Sequence, residues 1–171
     1  MPSIHLLPLG DVAPRLVDRL CPPLEARFAA SVAIDAAAPI RPEWLDAERG
    51  QYAAAAILDW LLRSPPPDGG WRLALLPGDL FAAGLESALG VSTLGGCCGV
   101  LALAPLHAAP GGDDSGSVFF RRVLTEAVHE IGHMAGLGHC DDSACVMHFS
   151  RTVEETDRKG ADFCPACRAG R

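Results

Sequence analysis

His129 and His133 stand four residues apart with Glu130 between them, and His139 follows six residues later, all within the segment HEIGHMAGLGHC. Four-residue spacing sets two side chains on one face of an α-helix, about 6 Å apart along its axis. Two imidazoles placed that way can reach one Zn²⁺ at about 2.0–2.1 Å each. A straight helix would carry His139 past the metal, so the chain must turn. Gly136 sits where the helix should stop, and glycine enters the left-handed C-cap conformation without steric cost. The chain can then double back and offer His139 as a third ligand. Three neutral imidazoles leave a fourth position for water, the pattern of a catalytic rather than a structural site. Zinc lowers the pKa of such a water to about 7 and polarises a carbonyl, and a carboxylate at Glu130 can take the proton and pass it to a leaving amine. A lone HExxH arises by chance in many helices; the added Gly136 and His139 at fixed spacing give this segment its specificity.

The motif needs a helix to carry it. At about 100° per residue, Val123, Leu124, Ala127, Val128, Ile131, Met134 and Ala135 fall in one arc, and Arg122, Thr125, Glu126, His129, Glu130, Gly132 and His133 fill the rest. The spacing predicts a helix over Arg122–Ala135 with its apolar face on a sheet. Arg122 and Glu126 read as a simple surface pair at i, i+4 with no role. Ser3–Gly10, Phe28–Ile34 and Trp71–Gly78 read as strands. Pro14–Phe28 has helical spacing interrupted by Cys21–Pro23. Ala47–Arg63, rich in Ala and Leu, reads as a helix stopped by SPPPDGG. Leu89–Leu106 reads as two strands joined around Gly95 and Gly96, and Gly111–Ser117 as a polar loop. Strands alternating with helices predict an α/β layer with a mostly parallel sheet.

A second constellation lies in the last third. Cys140 and Cys145, then Cys164 and Cys167, form two pairs suited to a tetrahedral zinc held by four thiolates. Such a site is closed and therefore structural, and it shares its backbone with the first, since Cys140 follows His139. Two disulfides or an iron are the alternatives the spacing leaves open. Of the remaining cysteines, Cys21 reads as a small buried hydrophobe. Cys97 and Cys98 fall in a predicted strand with side chains on opposite faces, and no redox role is expected of them. His5, His107 and His148 show no partner pattern, His148 reading as a solvent-facing loop residue.

Composition narrows the classes. The chain has 171 residues, 49% of them hydrophobic and 20% charged, which is globular composition of single-domain size. Net charge is −7, with 14 basic residues and no basic cluster, so nucleic acid is not the expected partner. No apolar run is long enough to span a membrane. The N-terminus lacks the basic and cleavage features of a signal peptide, so a cytoplasmic location is expected, which favours metal-bound or free thiols over disulfides.

Taken together, His129-Glu130-x-x-His133-x-x-Gly136-x-x-His139-Cys140, then Cys145-x-Met147, then Cys164-x-x-Cys167, resembles the archaemetzincins, metzincin-like zinc peptidases with an added four-cysteine zinc site. The resemblance covers Leu124 to Cys167, with weaker echoes at Tyr52 and Asp79; the interval from Met147 to Cys164 is slightly shorter than the family pattern. It implies a catalytic zinc on His129, His133 and His139, Glu130 as general base, and Met147 in a tight Met-turn beneath the imidazoles. It also implies a second zinc on Cys140, Cys145, Cys164 and Cys167, hence two per chain. The implied fold is a single α/β (α+β) domain: a twisted mixed sheet with backing helices and an active-site helix over 1–138, and a small irregular C-terminal subdomain over 139–171. An antiparallel edge strand near Leu89–Leu94 would pair with an extended peptide. After the Met-turn, Thr152 and Glu155 form a capping box, with Ser150 as the other candidate cap, and Asp157 and Lys159 match a structural D-x-K.

The expected function is a zinc-dependent peptidase, monomeric, acting on peptides or small proteins in the manner of an aminopeptidase. A catalytically weak zinc-binding module that binds peptides on the same scaffold is the alternative, and intact Glu130 counts against it. A zinc hydrolase of non-peptide amides or esters would use the same chemistry.

Overall fold

The computed structural model describes residues 2–107 and 116–170. In chain order they form β1 (Ser3–Pro8), α1 (Pro14–Phe28), β2 (Ser31–Ile34), β3 (Leu45–Asp46), β4 (Gln51–Ala53), α2 (Ala54–Leu62), β5 (Trp71–Leu76), β6 (Leu80–Ala82), β7 (Leu85–Ala88), β8 (Gly90–Ser92), β9 (Cys98–Ala102), α3 (Gly116–Met134), α4 (Val153–Arg158) and α5 (Pro165–Ala169). The main sheet runs β2-β1-β5-β9-β8, with β2, β1, β5 and β9 parallel and β8 antiparallel at the edge. A smaller sheet runs β3-β4-β6-β7. This is the mixed, twisted α/β architecture that the resemblance implied, with β8 inside the segment expected to form the antiparallel edge.

Alternation along the central strands divides the core. Leu73 and Leu75 of β5 face α1 and α3, while Ala74 and Leu76 face α2. Both faces are covered, which is why β5 and β9 read as nearly continuous apolar runs. The helix α3 lies on the first face through Val123, Ala127, Val128 and Ile131, all fully buried.

Several elements differ from expectation. The helix α1 runs unbroken through Pro22 and Pro23. The carbonyls those prolines would orphan belong to Asp18 and Arg19, both exposed residues that water can reach. On the other side Val17, Leu20, Leu24 and Phe28 are buried, and about 1.5–3 kcal/mol for each large apolar side chain outweighs the proline cost. The helix expected from Ala47 begins only at Ala54. Asp46 accepts the N–H groups of Glu48 and Arg49, Gly50 takes φ +67°, and Gln51–Ala53 pairs with β6 instead. Alanine's helix propensity loses there to an aspartate-capped turn and a strand partner. The β6–β7 hairpin was not anticipated. The helix α3 starts at Gly116, so Gly116 and Ser117 of the expected loop are helical and the remainder of that loop lies outside the described residues.

Candidate active site

The helix α3 ends just after His133, and the end is built by Gly136 at φ +94°. The Gly136 N–H donates to the His133 carbonyl at 2.9 Å and the Leu137 N–H to the Gly132 carbonyl at 3.0 Å, a Schellman reversal. The chain then returns and brings His139 to the other two imidazoles, the ring centroids lying 4.8 Å from His133 and 5.5 Å from His129. One nitrogen from each of the three rings falls within 4.8 Å of the others.

Hydrogen bonds fix which nitrogen is offered. His129 Nδ1 lies 2.7 Å from the Val146 carbonyl and His133 Nδ1 lies 2.8 Å from the Leu137 carbonyl. A carbonyl only accepts, so both Nδ1 atoms carry protons and both Nε2 atoms present lone pairs. Those two Nε2 atoms are 3.0 Å apart. Two facing lone pairs repel, and a shared cation relieves the repulsion, so the donor set fits zinc. Burial, with the Lys159 charge adding, pushes His129 down to about 2; burial also lowers His133 and His139. Neutral rings are the state a metal needs.

Glu130 is 4% exposed, and burial pushes its carboxyl up to about 8 against the lowering effect of a 2.5 Å hydrogen bond from Ser92 Oγ. Ser92 lies on β8, and so does Gly90, where an added Cβ would stand 2.5 Å from Glu130 Oε1. Met147 is fully buried against Gly132 of α3 and fits only because position 132 is glycine: a Cβ there would lie 2.5 Å from its sulfur. The turn that holds Met147 also supplies the Val146 carbonyl to His129, and the Cys140 N–H donates to the Met147 carbonyl at 3.0 Å.

The sulfurs of Cys140, Cys145, Cys164 and Cys167 also gather within 4.8 Å of one another, with 3.8 Å between Cys140 and Cys164. Sulfurs at about 2.3 Å from a tetrahedral zinc are about 3.8 Å apart, so this set fits that metal too. None of the four is in a disulfide. Cys164 caps α5, and the Cys167 N–H holds its thiol down to about 7.

The opposite face of α3, expected to meet solvent around Glu126, is instead roofed by the C-terminal segment. Arg122 and Glu126 do not pair with each other. Arg122 Nη2 reaches Asp157 Oδ2 at 2.7 Å, while fully buried Lys159 reaches Glu126 Oε1 at 3.1 Å and donates to the His148 carbonyl at 3.0 Å. The D-x-K pair thus clamps the active-site helix. His148 is half-buried, its Nδ1 2.9 Å from the Cys140 carbonyl, because the same roof covers it. Thr152 is the cap of α4, accepting from the Glu155 N–H at 3.3 Å. Cys97 and Cys98 bring their thiols to 3.6 Å of each other, since β9 begins only at Cys98 and Cys97 still belongs to the preceding bend. His107 stacks on Phe119, and His5 bridges Asp35 and Asp68.

The three histidines and Glu130 line a cleft of about 630 Å³ together with Ala82, residues 84–92, Glu126 and residues 149–151. The model of peptidase family M54 matches residues 69–170. The chain is 32% identical to an archaemetzincin of Haloarcula marismortui and 36% identical to one of Archaeoglobus fulgidus, covering 96% of both chains in each case. The chain belongs to the archaemetzincins, peptidase family M54. Crystal structures agree. That of the Archaeoglobus fulgidus archaemetzincin, complexed with malonate, matches with TM-score 0.86 at 34% identity over 99% of both chains. That from Methanopyrus kandleri matches with TM-score 0.87 at 32% identity over 98% of this chain and 92% of the other.

As an archaemetzincin the chain is a zinc metallopeptidase, a hydrolase of peptide substrates. Among the described residues no helix is long and apolar enough to cross a membrane. Sequence reasoning missed Ser92, Gly90 and the Glu126–Lys159 pair. A glycine and a serine two apart on a short strand were the only signal for the first two.

Proposed function

We propose that His129, His133 and His139 hold the catalytic zinc, that Glu130 is the general base, and that Cys140, Cys145, Cys164 and Cys167 hold a second, structural zinc. The three histidines would hold a zinc that, when bound, would supply Lewis acidity to a water molecule and to the scissile carbonyl. Glu130, buried beside the trio, takes the proton of that water as the peptide is attacked and delivers it to the departing amine. The Val146 and Leu137 carbonyls keep two imidazoles in the ligating tautomer, and Met147 supports them from below. The cleft of about 630 Å³ suits a few residues of extended chain, which favours aminopeptidase-like action on small peptides.

The observation that carries this reading is the convergence of three imidazole nitrogens within 4.8 Å, with the buried carboxyl of the next residue beside them. Glu130→Gln is its test. Peptide cleavage should fall by about 10²–10⁴ while zinc content, measured by elemental analysis, stays at the wild-type value. Cleavage at the wild-type rate would remove Glu130 from the mechanism.

A further inference from the structure

We propose that Ser92 is a positioning residue for the reaction, its hydroxyl fixing the orientation in which the Glu130 carboxylate serves as base. The inference rests on the general-base reading of Glu130 and extends it to a residue 38 positions earlier in the chain.

The argument begins with strand alternation. Gly90 and Ser92 share the face of β8 turned to α3, while Val91 between them packs into the core on the other side of the sheet. Both residues on that face meet Glu130. Ser92 Oγ donates to Oε2 at 2.5 Å. At Gly90 a Cβ would fall 2.5 Å from Oε1, 2.7 Å from Cγ and 2.8 Å from Cδ. The strand thus gives one carboxylate oxygen a donor and gives the rest of the side chain room by omitting its own.

A glutamate has three rotatable bonds, and a base is useful only when they are set before the substrate arrives. A hydroxyl donating to a carboxylate is among the stronger neutral-to-charged bonds and occupies one oxygen, leaving the other to accept a proton. The donor itself is held firmly. The turn after β8 is tied to the active-site helix by the Gly95 N–H to the His133 carbonyl at 2.9 Å, and Thr93 Oγ1 bonds the Cys98 carbonyl at 3.3 Å. Strand β8 pairs with β9 along one side and is the end strand of its sheet. A peptide extended along its open side would therefore be registered to the same strand that sets the base.

The test compares zinc-loaded Ser92→Ala, Ser92→Thr and Glu130→Gln in steady-state peptide cleavage. Ser92→Ala should lower kcat about 10- to 100-fold with KM shifted by less than about twofold and zinc content unchanged. Ser92→Thr, which keeps the hydroxyl, should restore most of kcat. A denaturant-unfolding cycle of Ser92→Ala, Glu130→Ala and the double variant, in which no acceptor remains at position 130, reads the same bond without turnover, and the two changes should be non-additive. An unchanged kcat in Ser92→Ala, an equal fall in Ser92→Thr, or additive unfolding effects would each overturn the inference, with inactive Glu130→Gln leaving the general-base reading intact. An active Glu130→Gln would overturn both.

Discussion

The two ligand clusters lie side by side on one backbone yet are assembled in opposite ways. His129 and His133 are carried by a 19-residue helix packed on a sheet, and only His139 depends on a loop. The four cysteines sit in a segment whose regular structure amounts to two short helices of 6 and 5 residues. The first cluster is positioned by burial that exists whether or not a metal is present. The second sits in a segment with little regular structure, joined to the core through Cys145, Val146, Met147 and Phe163, so its geometry should depend more on the metal. On the proposed assignment, the metal at the first site would do chemistry, and the metal at the second would hold the returning segment together.

Cys164→Ser is the severest way to break this contrast. Bound zinc should fall from two to one per chain, and amide-exchange protection over 140–167 should collapse, at a cost of several kcal/mol. That is below the roughly 10–16 kcal/mol of zinc domains that lack any other core. His133→Ala should also remove one zinc while protection over the same segment survives. Equal loss of protection in both variants would end the distinction.

The clamp between the two regions comes next. Lys159→Met leaves Glu126 buried without its cation and should destabilise the fold by about 3–5 kcal/mol in urea unfolding, with Glu126→Gln in the same chain recovering part of it. An exposed ion pair would give less than about 1 kcal/mol, and that result would show the roof to be loose. Gly132→Ala should cost about 1–3 kcal/mol, since its methyl meets the Met147 sulfur.

The smallest effect lies away from both clusters and serves as the control. At His5, burial lowers the pKa, but hydrogen bonds and charges from Asp35 and Asp68 outweigh it and raise the folded value above 6.5. A raised folded pKa stabilises below the unfolded pKa and fades as pH climbs through the folded one. Stability should therefore decline modestly above about pH 6.5, by less than about 1 kcal/mol. His5→Gln should flatten that slope in pH-dependent thermal unfolding. A slope unchanged in this variant would place the titrating group elsewhere.

What the sequence disclosed follows from distance along the chain. His129, Glu130, His133, Gly136 and His139 are neighbours in order, and helix periodicity with a glycine reversal turns order into geometry. The cysteine pairs were legible for the same reason. Ser92 and Lys159 were not, because each meets its partner across 33 positions or more, by way of a strand edge or a returning loop. Asp157 and Lys159 could be marked as structural, but not as partners of Arg122 and Glu126. Local propensity misled at α1, where two prolines were tolerated because the carbonyls they orphan lie on exposed residues, and before α2, where Asp46 and Gly50 imposed a turn ahead of the alanine-rich stretch. The vicinal thiols of Cys97 and Cys98 were expected to diverge and instead adjoin; burial pushes Cys98 up to about 12, which keeps it a protonated, unreactive thiol.

The peptide bond between His139 and Cys140 joins the two ligand sets with no spacer. Adding or deleting one residue at that junction would spoil both at once, since no slack exists to absorb the shift. Lengthening the exposed reversal at Gly84, where φ is +78° and nothing lies within 4 Å of an added Cβ, would disturb neither. Chain length can thus vary at this point on the rim of the cleft, and substrate preference with it, while the metal framework stays fixed.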